Sequence, residues 1–350
     1  MGDKVNIDCF LKQPENFPDF NYQKYLAASG IYATCYATNI EIIGDSYWSV
    51  IGKIKAKISQ AIDLSVVEPQ ASVLQALLLN NRRGIPDDVY NDFIKVGISH
   101  IIAISGSHIV IITMIIMYAS IALGIRRQKS FWVALFFVGL YIVLIGAPAS
   151  AVRGAIMALL VLFAKKIGRL GNSVNSLLLA IFVMLWFNPK LLLSDVGFQL
   201  SFMAVLGLIY LSPILEKKLK KWPDFWELKN ILIMTLSAQI FVTPLTLFYF
   251  DKFSAVSLLA NLLILPAVPF LMVWAIINSV VGIFSVHLGQ LMGYVSWFLV
   301  DYLMVVSKWL GNWPLASWSI GGGNFFLAAG LYWLIFIFIA KNNLIVYGKK

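Results

Sequence analysis

His100, Ser105 and His108 are the residues of this chain whose types and spacing come nearest to chemistry. They open an apolar stretch, residues 97–124 (GISHIIAISGSHIVIITMIIMYASIALG), long enough to cross a hydrocarbon core of about 30 Å as one helix. On a single helix, histidines eight apart sit about 80° apart and flank one face. Ser105 and His108, three apart, are close neighbours on it. A hydroxyl beside an imidazole is the elementary nucleophile–base pair. However, such pairs usually draw on separate elements so that the ring can reach the hydroxyl, and no oxyanion donor is evident. A metal centre is not expected. The chain has three histidines, the third being His287, and the 100/108 pair would need carboxylates from other helices. No cofactor is implied.

Other polar groups recur at membrane depth. Arg153 lies in PASAVRGAIMALL, and Asp195, Gln199 and Ser201 lie in LLLSDVGFQLSF. Gln239, Asp251, Asn261 and Asp301 follow. An ionised group near mid-membrane costs about 2.5–3.5 kcal/mol on insertion scales, so it usually faces a cavity or a partner. Plainer roles exist for each. Arg153 can snorkel to headgroups, Asp195 can cap a helix, and Gln239 and Asn261 can bridge helices. Asp251 and Asp301 can be exposed or structural. Most fall in the expected outer half, with His100 and His108, and outline an outward-opening vestibule.

The elements that must hold these groups are membrane helices. The chain is 60% apolar, with a mean hydropathy of +0.81. Residues 1–99 differ: nine Lys and Arg against eleven Asp and Glu leave −2, whereas the remainder, 18 against six, carries +12. Fourteen of those 18 fall in four places: Arg126, Arg127 and Lys129; Lys165, Lys166 and Arg169; Lys217, Lys218, Lys220, Lys221 and Lys229; and Lys341, Lys349 and Lys350. The positive-inside bias makes these loops cytoplasmic, so the charge is not by itself a nucleic-acid signature. Cys9 and Cys35 both precede the membrane part. A disulfide between them is one reading and two buried thiols the other.

Short β-like runs, residues 30–38 and 47–51, suggest part of a small sheet. The N-terminus is polar, with no signal-peptide h-region. Ile51, Ile54, Ile58 and Ile62, interleaved with lysines, predict an amphipathic helix on the membrane surface or against the N-terminal segment. A second helix, 71–80, follows Pro69, and a polar segment, 81–92, leads to the histidine stretch. Counting between basic loops gives nine crossings, at 97–124, 131–145, 151–164, 174–187, 196–215, 231–250, 253–284, 288–310 and 325–340. Pro266 and Pro269 should kink or split the seventh. The N-terminal segment is then outside and the C-terminus inside.

ALLLNNRRGIP (76–86), HIIAISGSHI (100–109), PASAVRGAIMA (148–158), DVGFQLSFMAVLGL (195–208) and the Gln239…Pro244…Phe253…Asn261…Pro266 run stand in one order. In that order they resemble the ComEC-type competence proteins, inner-membrane channels for DNA uptake. The resemblance covers about residues 71–340. In addition, NYQKYLAASGIYAT (21–34) is similar to the end of that family's OB-like N-terminal domain. The resemblance implies that single-stranded DNA crosses the membrane part while the other strand is degraded outside. It places His100, Ser105, His108, Arg153, Asp195 and Gln199 at the family's polar motif positions; Gln239 and Asn261, polar groups at membrane depth, complete the candidate DNA path. Ser107 stands where an apolar residue, often leucine, is usual. Many relatives add a metallo-β-lactamase-like domain proposed to be a nuclease, and no HxHxDH motif is present here.

The sequence is therefore read as an all-α polytopic membrane protein of about nine transmembrane or membrane-embedded helices after a small partial β (OB-like) extracellular segment. Its parts are residues 1–50 (OB-like), 51–96 (surface helices and linker), 97–340 (channel) and 341–350 (basic cytoplasmic tail). The expected function is a non-enzymatic plasma-membrane channel for single-stranded DNA in natural transformation. Expected partners are an extracellular DNA receptor, a cytoplasmic DNA-translocating ATPase, membrane lipid and a second copy of the chain. The alternatives are an intramembrane hydrolase using Ser105 and His108, and a small-solute transporter using the Pro-broken seventh span.

Overall fold

The computed structural model describes residues 3–15, 22–28, 30–35, 39–45, 49–167, 173–223, 228–314, 316–319 and 325–347. Arg169, Lys349 and Lys350 of the basic clusters lie outside them. The N-terminal segment contains β1 (Asp3–Asp8), β2 (Leu11–Lys12), α1 (Tyr22–Ala28), β3 (Thr34–Cys35) and β4 (Asn39–Asp45). β1 pairs antiparallel with β4, and β2 with β3. Cys9 and Cys35 are joined by a disulfide, their Cα atoms 5.8 Å apart. The strand expected over 30–38 is confined to Thr34–Cys35 among the described residues. The run expected at 47–51 is instead the start of a helix from Ser49, residues 46–48 lying outside the described set.

That helix, α2 (Ser49–Ser65), precedes α3 (Gln70–Leu79), α4 (Asp87–Lys95) and α5 (Ser99–Ile102). Then come α6 (Gly106–Ala122), α7 (Arg127–Leu144), α8 (Ala149–Lys166), α9 (Ser173–Phe187) and α10 (Leu191–Ser194). α11 (Val196–Tyr210), α12 (Ser212–Lys218) and α13 (Leu228–Phe250) follow, with β5 (Lys252–Ser254) after them. The chain continues through α14 (Ser257–Ile264), α15 (Ala267–Phe284), α16 (Val286–Gly311), β6 (Ser317–Ser319) and α17 (Phe325–Tyr347). Among the described residues, six helical stretches are long and apolar enough to cross a bilayer: α7, α11–α12, α13, α15, α16 and α17. α3, α6, α8 and α9 are shorter apolar helices.

α2 does not lie free on a surface. Its C-terminal turns pack against α15 and α16, where Gly282, Gly289 and Gly293 clear a path for Ala61 and Ser65. Lys53 and Lys57 remain exposed while Ile62 is fully buried. α3 goes further, since every one of its ten residues is buried. Its polar groups are matched: Gln70 Nε2 donates to Asp301 Oδ1 at 2.9 Å, and Gln75 bonds Asp63, Ser59 and Asn81. α3 thus forms the middle of the main apolar core, between α2, α15 and α16 on one side and α5 on the other. Tyr141 on α7 ties into it by donating to Leu78 O at 2.9 Å.

Three bundles result. α2, α3, α15 and α16 form one, α6 to α9 a second, and α11, α13 and α17 a third. The seventh apolar stretch is split as expected. Pro266 and Pro269 lack the N–H groups that would continue the ladder, and helix α15 restarts at Ala267 while Leu265 and Pro266 keep helical dihedrals. Two basic helix ends rest on aromatic rings: Lys166 Nζ lies 4.2 Å from the Trp132 ring centroid, and Lys218 Nζ lies 4.6 Å from that of Phe338. Lys190 Nζ bonds Tyr32 Oη at 2.6 Å, joining the N-terminal segment to the turn after α9.

Candidate functional site

The histidine stretch is not one helix. α5 ends at Ile102, Ala103 is extended, and Ser105 (φ −109°, ψ 173°) is the N-cap from which α6 restarts. The apolar pattern is continuous across the break, so hydropathy gave no sign of it; the serine preceding Gly106 was the available signal. The expected 80° relation of His100 and His108 therefore does not apply. His100 lies on α5 and His108 on α6, on opposite sides of the break.

His108 is the third residue of α6 and only 1% exposed. Its Nδ1 accepts from the Ser105 amide at 3.3 Å and lies 2.9 Å from Ser105 Oγ. Accepting from an amide fixes Nδ1 as the unprotonated nitrogen, so Nε2 carries the proton of the neutral ring. Nε2 is buried without a hydrogen-bond partner. Ser107 Oγ stands 2.7 Å from Ser105 Oγ, so this serine extends the chain Ser107–Ser105–His108 by one hydroxyl. The ring closing on its own N-cap amide is the reciprocal half of a capping box, with histidine in the usual Glu position.

α6 crosses α8 with almost no spacer. A Cβ on Gly154 would fall 2.5 Å from Gly106 Cα. Only glycine permits that approach, and it brings the start of α6 beside Arg153. Ser150 Oγ locks the crossing by donating to Ile104 O at 2.7 Å. Arg153 is 4% exposed and its Nη1 is buried with no partner. It does not snorkel. Asp195, at the start of α11, which packs against α8, accepts from Phe198 N at 2.9 Å as the N-cap of that helix.

The remaining candidates divide. Gln199 turns back along its own chain to donate to Leu192 O at 2.8 Å and does not join the group. Gln239 on α13 bridges to Ser257 on α14, 2.5 Å away, and Asn261 lies one turn further along α14 and is 7% exposed. Asp301 is taken up by Gln70, and Asp251 ends α13 with φ +52°. Ser107, Ser254 and Ser257 were not singled out by sequence reasoning as site residues. The i,i+4 spacing of Ser257 and Asn261 on an apolar helix was the usable clue. Among the described residues no group of three or more His, Cys, Asp and Glu is placed to hold a metal ion.

The pairing of Ser105 with His108 has one testable corollary. A nucleophile–base pair needs its ring held by a third group, and here the ring's far nitrogen is unpartnered. A serine-reactive fluorophosphonate is expected to leave Ser105 unlabelled, as read by mass spectrometry of the intact chain; stoichiometric labelling would reinstate hydrolysis.

Comparison with known proteins adds an independent line. The profile of a family described as "Competence protein" matches residues 77–343. ComE operon protein 3 of Bacillus subtilis (strain 168) is 31% identical over 285 residues, covering 80% of this chain and 35% of the relative. Recombination protein 2 of Haemophilus influenzae is 26% identical over 348 residues, covering 91% of this chain and 41% of the relative. The chain thus spans well under half the length of these two relatives. No solved structure matches.

Proposed function

Since this chain belongs to the competence protein family, we propose that its helices form the membrane core of a DNA-uptake channel through which single-stranded DNA enters during natural transformation. The nine apolar stretches are its membrane-embedded helices, six of them full-length. The end holding the N-terminal strands faces outward and the end holding the basic loops faces the cytoplasm. An outer DNA receptor delivers the strand and a cytoplasmic ATPase draws it in.

The observation that carries this reading is Arg153. Its Nη1 is a buried donor with no hydrogen-bond partner, a costly state that an entering anion relieves. Beside it is the N-terminus of α6, whose dipole favours negative charge even with Ser105 and His108 capping it. A phosphodiester satisfies both, and His108 Nε2–H adds a neutral donor nearby. Arg153 and His108 thus work through hydrogen bonding and field, with no covalent step.

Labelled DNA is expected to enter competent cells that lack their own channel when this chain is supplied to them. Full resistance to entry, with the protein confirmed in the membrane, would remove the reading. The hydrolase alternative is favoured by one observation, the 2.9 Å contact between Ser105 Oγ and His108 Nδ1. The helix cap accounts for the same contact without catalysis.

A further inference from the structure

A second polar group lies between α13, α14 and the bend before α5. Gln239 Nε2 donates to Ser257 Oγ, and Asn261 follows Ser257 by one helical turn on the same face. A Cβ on Gly97 (φ +75°) would fall 2.7 Å from Ser257 Cβ and 3.2 Å from Ser254 Cβ. Both serines therefore close on one backbone point. Three atoms of this group are buried with no hydrogen-bond partner: Gln239 Oε1, Ser254 Oγ and Asn261 Oδ1.

Each such atom costs about 1–3 kcal/mol when left unmet, so a purely structural bridge would be better built from one closed pair or from apolar residues. All four side chains are neutral, and the amides offer both donors and acceptors. Exchanging O and N in either amide changes which atom is free but leaves a free group of one kind or the other. That chemistry is a poor match for phosphate, which asks for cations, and for divalent metals, which ask for carboxylates. It matches the edge of an unpaired nucleobase, where donors and acceptors alternate in one plane.

We propose that the wall formed by Gln239, Ser254, Ser257 and Asn261 takes the base edges of the strand, while the phosphates follow the Arg153 side. This inference rests on single-stranded DNA being the cargo. The amides rotate to suit any base, so the contact orients the strand without selecting a sequence.

The test uses the full chain purified in detergent and the fluorescence anisotropy of two labelled probes. One is a single-stranded oligothymidylate and the other a strand of the same length built of abasic residues. The wild type should bind the base-bearing strand about tenfold tighter, the yield of one amide–base contact. Gln239→Leu and Asn261→Leu should each erase that preference and leave abasic affinity unchanged. Arg153→Gln should weaken both strands alike. Ser254→Ala removes one hydroxyl at a half-buried position and should narrow the preference, which keeps the test open if a leucine variant fails to fold. Equal binding of the two strands by the wild type, or a preference that survives in the variants, overturns the base-edge assignment and leaves the channel intact. No binding of either strand removes the DNA reading itself.

Discussion

Arg153→Gln abolishes DNA entry, lowering it at least about a hundredfold, while the protein reaches the membrane in normal amount. The magnitude is that expected when one side of a buried charged contact is truncated, about 2–5 kcal/mol. The stability forecast has a separate cause. Arg153 is 4% exposed with Nη1 unpartnered, so replacing it by a shorter neutral amide removes a desolvation cost. Asp195 retains its bond from Phe198 N. Arg153→Lys should recover part of the entry, because it keeps the charge but loses the planar fork. The measurements are labelled-DNA import and immunoblotting of membranes. Normal import in Arg153→Gln would sink the proposed path; import lost together with the protein would show that the arginine is structural.

Gly293→Leu is the second large effect, and it acts on folding. Even a Cβ at this position would sit 1.9 Å from Ser65 O and 2.8 Å from Ser65 C, both backbone atoms that no rotamer can move aside. α16 and α2 must separate, opening the contact made by Gly282, Gly289, Ala61 and Ser65. Overpacking of this kind costs about 3 kcal/mol or more where the backbone cannot yield. α3 is buried behind α2, so its apolar residues would become accessible. The expected result is severe loss of membrane-embedded protein and new protease cleavage between residues 65 and 85. Gly330→Leu, at a site with nothing within 4 Å of a Cβ, should leave both unchanged. A stable Gly293→Leu protein would mean that α2 lies free on the membrane surface, as its amphipathic pattern alone suggested.

That contrast shows what the sequence carried and what it did not. The isoleucines of α2 mark an apolar face, but a hydropathy pattern is the same whether lipid or protein covers it. The covering is decided by three glycines more than two hundred residues away, which have no meaning until the partner helix is known. The wholly buried α3 escaped for a related reason. Ten buried residues in a short apolar run give no face at all, and lipid-buried and protein-buried helices look alike. The split between α14 and α15 was legible because proline removes a specific donor wherever it stands. The N-cap role of Asp195 was legible because a short acidic side chain before an apolar run has a local use.

By itself, then, the sequence determined which side chains are costly at membrane depth and where local chemistry starts or stops a helix. It named His100, Ser105, His108, Arg153, Asp195, Gln239 and Asn261 because a polar group in an apolar stretch is conspicuous without any partner. Tertiary structure alone decided which of them meet. It broke the histidine helix at Ser105, turned Gln199 away to Leu192, enclosed Arg153 behind the Gly106–Gly154 crossing, and gathered Ser254 and Ser257 around Gly97. The physical reason is that side-chain burial and hydrogen bonding between distant helices depend on how closely backbones approach. That approach is set by pairs of small residues on different helices, whose effect no single stretch of sequence contains.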